Sequence, residues 1–260
     1  MEKFVRLWGR ATSADVAWVD AGGTPYAITA VPLLDGPVPC VALTFDRAAL
    51  LPSLAGAAAV AFAVTDARAL PGEADGVAAI GRVAVERVDA LGEALLTQEL
   101  RKYPPSRALA DSILLRRENW WYVARAVVRL DRVDRVQEVP ARRDAGRDAL
   151  LVRDDGTGLR LDVAAADDWS LPAVPLRAAA PLRGDGGPVL AHGHDFSPDR
   201  ERWESWGVRG QLCGDRLDVG ARDGRPGLDP APLRLLQRLR RSRAFERGCR
   251  RGIAAAEWRS

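Results

Sequence analysis

The sequence predicts a mainly β protein, a β-barrel with short helices, written twice along one chain. Three observations predict this. Short apolar, β-branched runs are separated by turns that carry glycine and proline. Two such segments recur in the same order at nearly one offset. Gly81 interrupts a long strand-like run, where a bulge or a barrel corner needs a residue without a side chain.

The first half reads as strands over 16–20, 26–33, 38–45, 58–65 and 76–88. The turn AGGTP joins the first two, because its glycines reach positive φ without steric cost. Residues 47–55 read as a short helix. The second half repeats parts of this. LVRDDGTGLRLDV lines up with WVDAGGTPYAITA, which places Gly156-Thr157 opposite Gly23-Thr24, 133 residues apart. Residues 188–212 line up with 59–83, which places Gly210 opposite Gly81, 129 residues apart. The expected division is 1–140 and 141–260, with 142–147 as a polar linker. A helical insertion is expected over 89–117, on the spacing of Leu91, Leu95, Leu96 and Leu100. A second helix is expected over 230–251. Its face of Leu233, Leu236 and Leu239 would pack on a barrel and leave the arginines in solvent.

Composition narrows the class. With 47% hydrophobic and 28% charged residues the chain can bury a core. The formal charge of +3 comes from 38 basic and 35 acidic residues, so most basic charge is matched. Signs alternate through Arg129–Leu130–Asp131–Arg132–Val133–Asp134–Arg135, which gives no basic stripe, and no nucleic acid is expected. Cys40, Cys213 and Cys249 lack metal-like spacing and read as free thiols of a reducing compartment. The opening MEKFVRLWGR carries no long apolar run, and 50–64 is too short to span a bilayer. A cytoplasmic protein with no membrane partner is therefore expected.

The order of features carries a resemblance. A hairpin with the turn Gly23-Thr24-Pro25 leads into PYAITAVPL. VALTF follows, then Arg47 at the start of a short helix, then AAVAFAV, then the glycine-centred AAIGRVAVERV. After the insertion comes ENWWYVARAVVRLDRVDRV. This resembles the split-barrel family of pyridoxamine 5'-phosphate oxidase, which binds FMN and includes enzymes using the deazaflavin F420. The resemblance covers about residues 12–140. It implies a split barrel of the FMN-binding type. Because the family pairs two barrels around a flavin groove, it also implies that a duplicated chain forms a pseudo-dimer, and it leaves a homodimer open. The implied activity is a flavin- or F420-dependent oxidoreductase acting on an unidentified small molecule. One departure stands out. The oxidase opens its short helix with paired basic residues, where this chain has Asp46-Arg47-Ala48.

The resemblance places a flavin phosphate at Arg47, with the hydroxyls of Thr29 and Thr44 as further donors. In the second half, LRAAAPLRGDGG shortens the matching helix, so a second phosphate site is not expected. Trp120, Trp121 and Tyr122 form the densest aromatic run and are expected in a strand, with Trp121 able to stack on a flavin ring. His192 and His194 are the only histidines. At i and i+2 of a strand they share a face and are expected at a partly exposed strand end. A metal would need a third ligand, Asp195 or Asp199, and no metal site is expected. Haem would need one axial histidine. Glu73, Asp75 and Glu93 show no acid–base pairing. Two alternatives to a flavoenzyme therefore stand: a haem-binding or haem-degrading protein, and a cofactor-free binding protein of the same fold.

Overall fold

The computed structural model describes residues 1–70, 75–182, 186–226 and 230–257. Its strands fall into two seven-stranded antiparallel sheets. The first contains β1 (Ala14–Val19), β2 (Pro25–Ala30), β3 (Pro32–Asp35), β4 (Val38–Leu43), β5 (Val60–Val64), β6 (Gly76–Val88) and β7 (Arg125–Val139). The second contains β8 (Asp148–Asp154), β9 (Leu159–Ala165), β10 (Ala173–Pro175), β11 (Arg177–Ala178), β12 (Pro188–Phe196), β13 (Trp203–Cys213) and β14 (Arg216–Asp223).

The strand orders are β2-β1-β5-β6-β7-β4-β3 and β10-β14-β13-β12-β8-β9-β11. In each sheet the two outermost strands are consecutive in the chain. Only Val31 separates β2 from β3, and only Leu176 separates β10 from β11. One bent strand thus joins both edges of its own sheet and curls it toward a barrel. Read from β1 and from β8, the shared order is the same: β2-β1-β5-β6-β7-β4 corresponds to β9-β8-β12-β13-β14-β10. The chain is mainly β, internally duplicated, with each half curled as a barrel.

The repeated glycines occupy equivalent places. Gly23 and Gly156 sit in the β1–β2 and β8–β9 turns with φ of 80° and 84°. Gly81 and Gly210 sit at register shifts in the β6–β7 and β13–β14 pairs. A Cβ at Gly81 would lie 1.8 Å from the Arg132 carbonyl oxygen, and one at Gly210 would lie 2.0 Å from that of Asp218. Only glycine lets the two strands cross so closely.

Alternation along the strands explains how the barrels join. Val16 and Trp18 of β1, and Val60, Phe62 and Val64 of β5, fill the first barrel. Ala17, Ala61 and Ala63 point the other way, with Ala78 and Ile80 of β6. Against these small residues pack Leu150, Val152, Leu161 and Leu190 of the second half. Meanwhile Leu151, Val189 and Ala191 fill the second barrel. Both faces of β1, β5, β8 and β12 are therefore buried, one in a barrel and one in the seam.

The helices cover the first barrel. They are α1 (Glu2–Arg10), a 3-10 turn (Phe45–Leu50) running into α2 (Leu51–Ala55), α3 (Glu93–Lys102), α4 (Arg107–Ala110), α5 (Ile113–Glu118), α6 (Trp120–Val123) and α7 (Leu235–Glu257). Two expectations are corrected. Trp120, Trp121 and Tyr122 form the helical turn α6, not a strand. There Tyr122 donates to Glu99 of α3 at 2.5 Å, and Arg125 pairs with Glu99 at 3.2 Å. Trp121 packs there on Phe245 of α7, a contact with a distant segment that the local pattern does not encode. The second correction is the leucine face of the C-terminal helix. Leu236 is 68% and Leu239 47% exposed. Phe245, Cys249 and Ile253, further along α7, make the packing contacts instead.

Candidate functional site at the seam

At one end of the seam the apolar packing gives way to a buried polar cluster. Asp15 of β1 carries the seam-facing side chain before Ala17. Its cross-strand neighbours are Thr29 on β2 and Ala63 on β5. From β12, His192 and His194 continue the face of Leu190. Both imidazoles are buried, at 3% and 2% exposure, not half-open at a strand end as expected. Strand periodicity brought the pair to one face, but their carboxylate partner is Asp15 of the other half, not Asp199.

Asp15 is the hub. Its Oδ1 lies 3.4 Å from His192 Nε2 and 3.3 Å from His194 Nδ1. Thr29 donates to the same oxygen at 3.0 Å, and its hydroxyl lies 3.0 Å from His192 Nε2. Because the Thr29 proton goes to Asp15, His192 is the donor in the second contact. Arg142, from the chain between the barrels, donates to Asp15 Oδ2 at 2.6 Å and to the Thr65 hydroxyl at 2.9 Å. A second carboxylate, Asp66, lies 3.2 Å from His194 Nε2 and is gripped by Arg68 at 2.8 Å. Arg68 also bonds Asp195 at 2.6 Å, so Asp195 lies one step out from the histidines.

The charges follow from this geometry. Burial alone would raise the Asp15 pKa, but Arg142 and His194 outweigh it and hold the carboxyl well below its usual range. Burial likewise opposes a charge on His194, yet Asp15 and Asp66 prevail and raise its pKa. Burial dominates at His192 and lowers its pKa. Asp66 is lowered, its burial overcome by His194 and Arg68. Three carboxylates, Asp15, Asp66 and Asp195, thus face two guanidiniums, Arg142 and Arg68, with the two imidazoles between them.

Asp15, His192 and His194 could bring three donor atoms to one metal ion, since these lie within 4.8 Å of one another. The Arg142 guanidinium already stands there, 2.6 Å from Asp15 and 3.2 Å from His194 Nδ1. It supplies the positive charge a bare divalent ion would bring.

Beside the cluster is a crevice lined by Thr12, Ser13, Tyr103, Phe196, Arg200 and Trp203, with room for about one water molecule, roughly 10 Å³. The His194 and Trp203 rings lie 6.2 Å apart. Arg68 and Arg200 both stack on Phe196, at 4.0 and 5.4 Å. Ser13 Oγ and Trp203 Nε1, both lining the crevice, are buried without a hydrogen-bond partner, and His194 Nε2 beside them lies against Asp66 Oδ2 at 3.2 Å. Arg200 has a φ of 58°, a left-handed conformation that side chains other than glycine rarely take. Such strain is held where surrounding structure demands it, often at binding sites.

The residues implied by the flavin resemblance are dispersed. Thr29 belongs to the seam cluster. Thr44 donates to Asp46 at 2.5 Å, and Arg47 is exposed with Asp46 at 3.8 Å. Trp121 is buried against Phe245 of α7. Helix α7 lies on this turn so closely that a Cβ at Gly252 would sit 1.9 Å from the Phe45 carbonyl oxygen. Helix α7 thus covers the Phe45 side of this turn, while Asp46 and Arg47 stay exposed. Glu93 pairs with Arg116 at 2.6 Å; Glu73 lies outside the described residues.

No family model matches this chain, and no curated protein matches it. Among solved structures it is similar to a haem-binding protein from Mycobacterium smegmatis, at 14% identity and a TM-score of 0.35 over 97% of each chain. It is also similar to HutZ, a haem storage protein from Vibrio cholerae, at 12% identity and a TM-score of 0.36, over 54% of this chain and 95% of that one. A conserved hypothetical protein from Mycobacterium tuberculosis is similar at 11% identity and a TM-score of 0.38, over 53% and 82%.

Proposed function

We propose that this chain is a haem-binding protein, with the ligand docked at the seam in front of His194. The observation that supports it is the convergence of partnerless buried atoms on one aromatic crevice. A buried donor or acceptor without a partner costs about 1–3 kcal/mol, and a ligand that engages it recovers that cost.

The chemistry of each group suits haem. His194 keeps Nδ1 against the Asp15 carboxylate, the second partner that commonly orients a metal-binding imidazole. Its Nε2 is the atom that would hold iron, once it gives up its 3.2 Å contact with the Asp66 carboxylate. Phe196, Trp203 and Tyr103 offer rings to a macrocycle. Ser13, Trp203 and Arg200 offer donors to carboxylates. Haem would supply the iron, and with it the affinity for an axial imidazole. The crevice as it stands holds about one water, so a macrocycle would enter only as the crevice widens.

The test is titration of haemin into the purified protein. A Soret band with saturable stoichiometry is expected for wild type. His194→Ala should abolish it, and His192→Ala should weaken it far less, because the His192 Nε2 is engaged by Thr29. Equal binding by wild type and His194→Ala would refute the assignment. A second reading, a cofactor-free binding protein, is favoured by the covered turn at Phe45. It predicts that neither haemin nor FMN nor F420 binds.

A further inference from the structure

Helix α7 concentrates charge. It holds seven arginines and two glutamates, a net +5, in a chain of net +3. The rest of the protein is therefore acidic by two charges, and the basic character belongs to this one helix. Its C-terminal half is anchored: Phe245, Cys249 and Ile253 pack on the barrel and insertion. Arg238 and Arg241 fix its N-terminal half to the 199–203 segment, through Asp199 at 3.3 Å and the Trp203 carbonyl at 2.8 Å.

Beside these anchors, around the helix, come leucines. Leu235 and Leu236 are 72% and 68% exposed. With Leu239 they span about 100° of the helix surface, a single stripe. The same azimuth continues through Arg243, Arg247 and Arg250, all exposed, toward the C-terminus. Arg250 lies 5.2 Å from the ring of Trp120, itself 46% exposed. An apolar tip, a row of arginines and an interfacial tryptophan thus occupy one face about 22 Å long.

We infer that this face docks the protein on an anionic lipid surface, the leucines entering the acyl boundary and the arginines meeting headgroups. Arginine rows also suit nucleic acid, but a phosphate backbone offers nothing to three exposed leucines. A bilayer accepts both, and tryptophan favours its interface. No helix among the described residues is long and apolar enough to cross a membrane, so the contact is peripheral. The docking face departs from the expectation of no membrane partner, and none of its leucines and arginines lines the haem crevice.

The test is co-sedimentation of the full chain with vesicles of phosphatidylcholine, with and without phosphatidylserine. Binding is expected only with phosphatidylserine, and it should fall as salt is raised. Replacing Arg243, Arg247 and Arg250 together by Gln should weaken it about a hundredfold. Replacing Leu235, Leu236 and Leu239 by Ser should weaken it at least about tenfold. These side chains are solvent-exposed, so the fold should survive, which circular dichroism checks. Equal sedimentation with neutral vesicles, no sedimentation, undiminished binding by the Ser variant, preference for single-stranded RNA, or a leucine-dependent dimer in solution would each overturn the inference.

Discussion

Asp15 Oδ1 and His194 Nδ1 lie 3.3 Å apart across the seam, one from each barrel, and both side chains are buried. Asp15 also holds the buried Arg142 at 2.6 Å. Removing one member of such a cluster leaves the others charged without compensation. Asp15→Asn is expected to destabilise the fold by about 3–5 kcal/mol, the usual cost of breaking a buried pair. Pairing Asp15→Leu with Arg142→Met should recover much of that loss. Urea unfolding of both variants measures this, and additive losses in the double variant would contradict the coupling.

Lys102 predicts an alkaline stability profile. Its ammonium donates to the carbonyls of Pro32 and Trp8 at 2.7 and 3.1 Å, and burial, with Arg101 nearby, lowers its pKa to about 8. Between pH 8 and the unfolded value of 10.5, the unfolded chain binds the proton that the folded one has lost, so this group makes stability rise with pH. Burial raises Cys40 to about 12 and Cys249 to about 11, which acts in the opposite direction above pH 9. The Lys102 contribution should therefore show as a rise from pH 8 to 9. It is the difference between wild type and Lys102→Met in chemical denaturation. Identical pH profiles for the two proteins would show that Lys102 stays charged in the fold.

Gly81 and Gly210 should respond alike. An alanine at either would drive a Cβ into a backbone carbonyl of the partner strand, which cannot turn aside as a side chain can. Each Ala substitution is expected to cost at least about 1–3 kcal/mol by overpacking. Thermal unfolding of the two variants tests the equivalence. A tolerated Gly210→Ala would mean that the second bulge is not held as the first is.

The grip of α7 on the turn at Phe45 depends on Gly252. Gly252→Ala meets the Phe45 carbonyl oxygen at 1.9 Å, whereas Gly248→Ala meets only the Asp46 Cβ at 3.2 Å. The first should lift the end of the helix and expose it to protease, and the second should do little. If the phosphate position beneath α7 can still take flavin, Gly252→Ala should uncover it and raise FMN affinity, which fluorescence quenching would detect.

Local chemistry made the barrels legible in the sequence. Alternation placed β1, β5 and β12, and the turn glycines placed the hairpins. Gly81 and Gly210 marked the bulges because no other residue allows that approach. The alternation of alanine with larger residues in AVAFAV already encodes a strand buried on both faces. The histidine pair was also visible, because two residues apart on a strand must share a face.

What the sequence alone determined was each strand's two faces, since side-chain direction is a local property of the backbone. Only the tertiary structure decided what each face meets. It set Asp15 against His192 and His194, 177 and 179 residues away, because the seam forms only after both barrels close. It likewise placed Trp120–Tyr122 in a helical turn, where Tyr122 bonds Glu99 and Trp121 packs on Phe245 of α7. And it laid α7 over the turn at Arg47 by its glycines, leaving the leucines outside. Long-range packing chose between faces that periodicity left equivalent.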